Sequence, residues 1–404
     1  MKYVVILGDG MADYPIAELN NRTPLEVAVK PNIDALARLG EVGLSVTVPD
    51  GMKPGSDVAN LSMLGYNPKD CYTGRSPLEA ASIGIALKDT DVTARANLVT
   101  LSNEENYADK TMIDYSAGEI STAEAKELIE YLAKHLNDDT YSLYAGISYR
   151  HCLVIDNGGI AGDLTPPHDI TGKPVKEYLP KSELGKKYLE LMEKSASLLK
   201  DHPINIARVK AGKNPANSLW FWGEGTKPRL ESFESRFGLK GGMISAVDLL
   251  KGIGKLTGMR VIEVDGATGN YDTDFSAKAK ACLDALKDGL DFVYIHMEAP
   301  DECGHHGDLE HKIWSIEQID EKVVKPVIDG LNELGEPYSI LVAPDHPTPI
   351  SIMTHTRDAV PYIVYRSNER TGNGAEAYDE KNAKSTGAFE QTGYKLVCRF
   401  LGKE

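Results

Sequence analysis

The chain is short of cysteine, of positive charge and of long apolar runs, and each shortage narrows what it can do. Its 404 residues hold five cysteines, Cys71, Cys152, Cys282, Cys303 and Cys398, scattered and never spaced CxxC. That argues against a disulfide framework or a thiolate metal site, and predicts reduced thiols in a cytoplasmic protein. Lysine and arginine total 44 against 60 aspartates and glutamates, a net charge of −16. Nucleic acid and anionic membranes are therefore poor partners. A small anionic substrate remains acceptable if cations or local arginines reverse the field at its site. No apolar run is long enough to span a bilayer. The opening "MKYVVILGDGMADYP" lacks the longer apolar stretch and small-residue cleavage site of a secretory signal.

What is present is an ordinary globular composition, 42% hydrophobic and 26% charged, in a chain longer than one core usually holds. "YVVIL" reads as a buried strand ending in Gly8-Asp9-Gly10. "KPNIDALARLG" reads as a helix with proline in its first turn and glycine at its stop. "VGLSVTV" and "SDVANLSMLG" continue the strand–helix alternation of an α/β domain. The middle differs: charged amphipathic helices "STAEAKELIEYLAKHLN" and "SELGKKYLELMEKSASLLKDH", hairpin-like "YSLYAGISYRHCLVI", and a short strand "SLWFW". From about residue 240 the α/β rhythm returns, with helix "MISAVDLLKGIGKL", strand "RVIEV", helix "FSAKAKACLDALKD", strand "DFVYIHME", a long helix around "WSIEQIDEKVVKPVIDGLNEL" and strand "YSILVAP". The predicted organisation is one domain, 1–75 with 237–404, interrupted by an insert over 76–236.

Three segments that follow predicted strands carry metal-ligand residue types. "VVILGDG" supplies Asp9, "DECGHHGD" supplies Asp301 and His305, and "APDHPTPISIMTHT" supplies Asp345, His346 and His355. In an open parallel sheet, ligands gather beyond the C-terminal strand ends, so distant segments can converge there. Asp301 and His305, four apart, share one face of a helical turn; His306 does not. Carboxylate plus imidazole suits zinc, manganese or iron, whereas magnesium sites prefer oxygen alone. Six such ligands are too many for one open catalytic site and suit two. Ser56, in "PGSDVANLSMLGY", opens a helix. It reads as a plain N-cap or as a nucleophile whose alkoxide a metal favours, at a helix end that attracts phosphate.

The segments "LGDGMAD", "PGSDVANLSMLGY", "DECGHHGD" and "APDHPTP…THT" resemble the alkaline phosphatase superfamily, and more closely its cofactor-independent phosphoglycerate mutases of the type first recognised in archaea. The insert segments "SYRHCLV" and "GKNPANSLWFWGEG" share that likeness. The resemblance implies an α/β fold, with a mostly parallel sheet flanked by helices and an inserted smaller α+β domain that binds substrate and acts as a lid. It implies a phosphoserine at Ser56, with Asp301, His305 and His355 on one divalent ion and Asp9, Ser56, Asp345 and His346 on another. The ions would be manganese or zinc, with magnesium a third candidate, and no 2,3-bisphosphoglycerate would be needed. A small phosphorylated carboxylate would be gripped by Arg150 and His151, with Arg208, Lys110 and Lys240 as further candidates.

The activity this implies is interconversion of 3- and 2-phosphoglycerate. Two alternatives use the same metals and serine: phosphoryl transfer to a small alcohol such as homoserine, and a phosphatase. The chain has no GxxxxGK[ST] loop, which disfavours an ordinary kinase site. A closing insert would exclude water and disfavours the phosphatase.

Overall fold

The computed structural model describes residues 1–403. The chain forms two compact units, Met1–Tyr72 with Arg229–Glu404, and Thr73–Pro228. The seams fall a few residues before those read from composition.

The first unit is built on an eight-stranded sheet. Lys2–Gly8 lies at its centre, parallel to Phe292–Met297 on one side and Tyr338–Ala343 on the other. Gly241–Ile244 and Arg260–Ile262 extend it in parallel beyond Phe292–Met297. On the other flank Val360–Arg366 runs antiparallel to both its neighbours, Tyr338–Ala343 and Glu41–Ser45. Every residue from Val4 to Leu7 is fully buried. That is why this strand reads as an unbroken apolar run and not as an alternation: helices cover both faces.

The sequence reading stops short of the strand Val360–Arg366 and the helix Gly393–Phe400, and it differs from the fold in three further places. "MISAVDLLKGIGKL" is not one helix: Gly241–Ile244 is a strand and the helix is Asp248–Leu256. The long helix near residue 320 is three segments, α-helical Leu309–Ile319 and Lys325–Leu334 around π-helical Asp320–Val324. Pro326 explains the widened turn, because proline has no N–H to give the preceding turn and its ring crowds it. The turn also aims Asp320, which accepts from Ile33 N at 2.6 Å and Asn32 Nδ2 at 2.7 Å. The third difference is Val92–Leu101, a strand the reading passed over.

That strand is the spine of the second unit. All ten residues are buried. It pairs antiparallel with Arg150–Ile155 on one side and Ser218–Thr226 on the other. Helices Thr122–Leu136 and Glu183–Leu199 belong to the same unit; Ser121 caps the first through Glu124 N, and Ser182 caps the second through Gly185 N. Trp220 and Phe221 are 1% exposed and belong to this core.

In the first unit the C-terminal helix Gly393–Phe400 is tied to the sheet by Arg399, which donates to both oxygens of Glu41 at 2.9 Å. Tyr362 Oη donates to the same carboxylate at 2.6 Å. Burial pushes the Glu41 pKa up, but the hydrogen bonds from Arg399 and Tyr362 outweigh it and hold the pKa below the usual value. A depressed carboxylate stabilises the fold above its unfolded pKa, and that contribution is lost as pH falls through the folded pKa. Arg399→Ala is expected to cost about 1 kcal/mol near neutrality, a partly exposed pair being screened. Urea melts of both proteins should show the deficit shrinking below about pH 4.5; a deficit constant down to pH 3 would contradict this.

Candidate active site

The C-terminal ends of the central strands deliver the ligand-type residues to one place. Asp9 follows Lys2–Gly8 directly, and its N–H donates to Met297 O at 2.9 Å. Asp345 and His346 follow Tyr338–Ala343. Asp301 and His305 face one side of the helix Ala299–His306. Gly10 makes the convergence possible: its φ is +63°, and a Cβ there would lie 2.7 Å from Asp301 Oδ1 and Thr348 Oγ1.

Two groups of atoms form. His305 Nε2 lies 2.9 Å from His355 Nε2 and 3.3 Å from Asp301 Oδ2, and His355 Nε2 is 3.5 Å from Asp301 Oδ1. His346 Nε2 lies 3.2 Å from Asp345 Oδ2 and 3.6 Å from Asp9 Oδ1. The ligand-type atoms of Asp9, Asp345 and His346 lie within 4.8 Å of one another, and so do those of Asp301, His346 and His355. His346 therefore belongs to both groups, where the sequence reading gave it only to the Asp9 set. His306 turns away, with Nδ1 against Glu302 O at 2.9 Å.

Ser56 does not cap its helix. Gly55 is the N-cap residue and Ser56 the first helical residue of Ser56–Met63. The hydroxyl instead sits 3.1 Å from His346 Nε2. One turn on, Asn60 Nδ2 donates to Ser56 O and to Asp345 Oδ2, both at 2.8 Å, while Tyr294 Oη donates to Asn60 Oδ1 at 2.6 Å.

The electrostatics ask for cations. Burial, then repulsion by Asp345 and Asp301, holds the Asp9 carboxyl well above its ordinary range. Asp9 Oδ2 is taken by His296 Nε2 at 2.8 Å, whereas Oδ1 is buried without a partner. Burial pushes His296 down to about 3, so it is neutral. The hydrogen bond to Asp301 draws His305 up to about 9. Two imidazole nitrogens aimed at each other, an orphaned carboxylate oxygen and clustered buried acids fit divalent ions with mixed oxygen and nitrogen ligands.

The substrate-grip candidates fare differently. Lys240 precedes Gly241–Ile244, and its carbonyl accepts from Asp291 N and Phe292 N at the N-terminal strand edge, opposite the ligand cluster. Arg208 is spent inside its own unit, on Glu124, Asn214 O and Ala117 O. Lys110 Nζ donates to the carbonyls of Ser102 and Glu104. His151 is buried, with Nδ1 accepting from Gly146 N and Nε2 unpartnered. Arg150 is exposed and has no ion-pair partner among the described residues; it lies 5.6 Å over the Tyr149 ring.

Sequence reasoning missed the arginines around it. Arg75 and Arg95 both pair with Glu79, at 3.1 and 2.8 Å, and Arg95 stacks 4.1 Å over Trp222. Burial raises the Glu79 pKa, but Arg95, Arg75 and Arg150 together bring it below normal. Two guanidinium groups thus share one carboxylate, and the charge of Arg150 also acts on it. Also missed were His296, Asn60, Thr348 and Lys312; Asn60 and Thr348 lie inside the segments "PGSDVANLSMLGY" and "APDHPTPISIMTHT", and the histidine that interrupts the apolar strand "FVYIHM" is a further hint.

A sheet of this topology with carboxylates and imidazoles gathered at its C-terminal edge defines the class, an α/β protein equipped for metal-dependent chemistry on an anion. The chain belongs to the 2,3-bisphosphoglycerate-independent phosphoglycerate mutase family. The sequence model of that family matches residues 37–205. A Methanosarcina barkeri 2,3-bisphosphoglycerate-independent phosphoglycerate mutase is 50% identical over 385 residues, covering 95% of each chain. A solved Pyrococcus horikoshii protein superposes with a TM-score of 0.83 at 30% identity over 100% of this chain and 98% of its own. The cofactor-independent phosphoglycerate mutase of Thermoplasma acidophilum gives 0.66 at 27% identity, over 100% and 99%.

The loop carrying Asp345 and His346 is anchored by a fully buried ion pair, Lys312 Nζ to Asp13 Oδ2 at 2.8 Å, and the same ammonium donates to Thr348 O at 2.8 Å. Lys312→Met should cost about 3–5 kcal/mol by stranding Asp13. Adding Asp13→Asn should recover part of that in denaturant melts. A double variant worse than the single by the full cost of Asp13→Asn alone would show that the two side chains act independently.

Proposed function

We infer that this protein interconverts 3-phosphoglycerate and 2-phosphoglycerate by passing the phosphoryl group through Ser56, without 2,3-bisphosphoglycerate. The observation that carries the reading is the Ser56 hydroxyl, free of capping duty and 3.1 Å from His346 Nε2 beside the carboxylate–imidazole cluster. Relatives of that name along the whole chain support the substrate.

Asp301, His305 and His355 are proposed to hold one divalent ion, and Asp9, Ser56, Asp345 and His346 the other, manganese or zinc before magnesium. When bound, such ions favour a serine alkoxide and neutralise phosphoryl charge. Ser56 Oγ attacks phosphorus, forming the phosphoserine ester as the bond to the glycerate oxygen breaks. The proton lost by Ser56 ends on the departing alkoxide. The neighbouring glycerate hydroxyl then attacks the phosphoserine, losing its proton as Ser56 regains one. Asn60 keeps the Ser56 turn in register with Asp345 through its two hydrogen bonds. The N-terminus of the Ser56–Met63 helix favours the incoming anion.

To the second unit we assign the grip on the substrate's anionic groups. Arg150 is the leading ligand, with Arg75 and Arg95 gathered on Glu79 in the same unit. Guanidinium groups suit carboxylate and phosphate because they donate in pairs. A cytoplasmic location agrees with the substrate; among the described residues no helix is long and apolar enough to cross a membrane.

The test is a coupled enolase assay on manganese-loaded protein, with EDTA and Ser56→Ala as controls. Turnover that EDTA abolishes and that Ser56→Ala lacks, with metal content unchanged to within one ion, is the expected result. Full activity in Ser56→Ala would overturn the serine relay, and saturation by homoserine with no phosphoglycerate turnover would overturn the substrate. Arg150→Ala should raise KM for 3-phosphoglycerate at least about tenfold, the loss of one charged hydrogen-bonding group; an unchanged KM would remove Arg150 from the grip.

A further inference from the structure

The Thr348 side chain touches Asp301 of one ligand group and His346, which both groups share. It is fully buried. Its hydroxyl donates to Asp301 Oδ1 in a short hydrogen bond, and its oxygen lies 3.3 Å from His346 Nδ1. The surroundings leave it little freedom. Its carbonyl is held by Lys312, a Cβ on Gly10 would lie 2.7 Å from its Oγ1, and a Cβ on Gly304 would lie 2.8 Å from its Cγ2.

A hydroxyl has one proton to give. Two imidazoles flank Asp301, at 3.3 and 3.5 Å, and favour its ionised, acceptor-only form. The short contact then requires the proton to come from Thr348. The Thr348 oxygen is left with lone pairs alone, so its contact with His346 is favourable only if Nδ1 carries the hydrogen. That leaves the Nε2 lone pair of His346 facing Ser56, Asp9 and Asp345.

We propose that Thr348 is a positioning residue that fixes His346 in its Nδ1–H tautomer and at the same time orients Asp301, so that one hydroxyl prepares both ligand groups. His305 is set by an independent device of the same kind: its Nδ1 lies 3.1 Å from Met353 O, which can only accept. The inference about the cations rests on the metal-dependent reading above; the tautomer assignment does not.

Two measurements on the full-length protein test it. The first is the pattern of imidazole nitrogen chemical shifts in metal-free protein, assigned with His346→Gln. Wild type should show His346 protonated at Nδ1, and Thr348→Val should show a mixture or the Nε2–H form. A wild-type Nε2–H tautomer overturns the proposal whatever the variants do. The second is calorimetric titration of chelated protein with manganese chloride. Thr348→Val should bind manganese about ten- to a hundredfold more weakly, the usual effect of removing a group that orients a ligand. Thr348→Ser, which keeps the hydroxyl, should stay within a few-fold of wild type. Wild-type affinity in Thr348→Val overturns the coupling, and equal weakening in Thr348→Ser would trace the effect to the methyl packed on Gly304. No manganese uptake by wild type would overturn the metal reading, while the nitrogen shifts would still decide the tautomer.

Discussion

Three carboxylates buried side by side, Asp9, Asp301 and Asp345, are the constraint on which the rest of the first unit depends. Like charges that close cannot all ionise in a low-dielectric setting without compensation. The surroundings answer that problem in layers. Neutral or chargeable imidazoles stand against each acid, Asn60 and backbone N–H groups fill the remaining lone pairs, and one oxygen of Asp9 is left over for an ion. Buried ammonium groups lie just behind: Lys278 donates to His296 O at 3.2 Å, and burial lowers its pKa to about 8. The site is an electrostatic arrangement first, and its chemistry follows from what must be bound to complete it.

The sheet exists in its parallel form to serve that arrangement. Parallel strands bring all their C-terminal ends to one edge, so residues at positions 9, 301 and 345 meet although they are far apart in the chain. The loops there must be drawn tight, which explains glycine at positions 10 and 304, where any Cβ would strike Thr348 or Asp301. The buried Lys312–Asp13 pair pins the same loop from below. Ser56 enters from a separate helix, and it is His346 and Asn60 that link this residue to the ligand cluster.

Much of this was legible in the sequence. Strand-ending motifs with aspartate and histidine are dense enough to stand out, and the i, i+4 spacing of Asp301 and His305 fixed their common face. The supporting groups were not legible, because their roles depend on where the chain folds back. Asn60 reads as an ordinary helical residue, and Tyr294 and His296 as parts of a buried strand. The strand Val92–Leu101 was overlooked because its buried positions include Thr93, Arg95, Asn97 and Thr100, which interrupt the apolar pattern. The same feature hid the arginine cluster: Arg95 is buried against Glu79 and Trp222, so its position was set by partners distant in sequence. The position of Lys240 was illegible for the complementary reason. Its charge was visible in the sequence, but the strand end it occupies was not.

The central claim is that Ser56 carries the phosphoryl group between the two glycerate hydroxyls. Acid-quenching the manganese-loaded enzyme during turnover of 3-phosphoglycerate, followed by peptide mass spectrometry, tests it most directly. The account predicts a phosphoryl adduct on the peptide containing Ser56, localised to that residue and absent without substrate. Sustained turnover with no adduct there, or with the adduct on another residue, would contradict it.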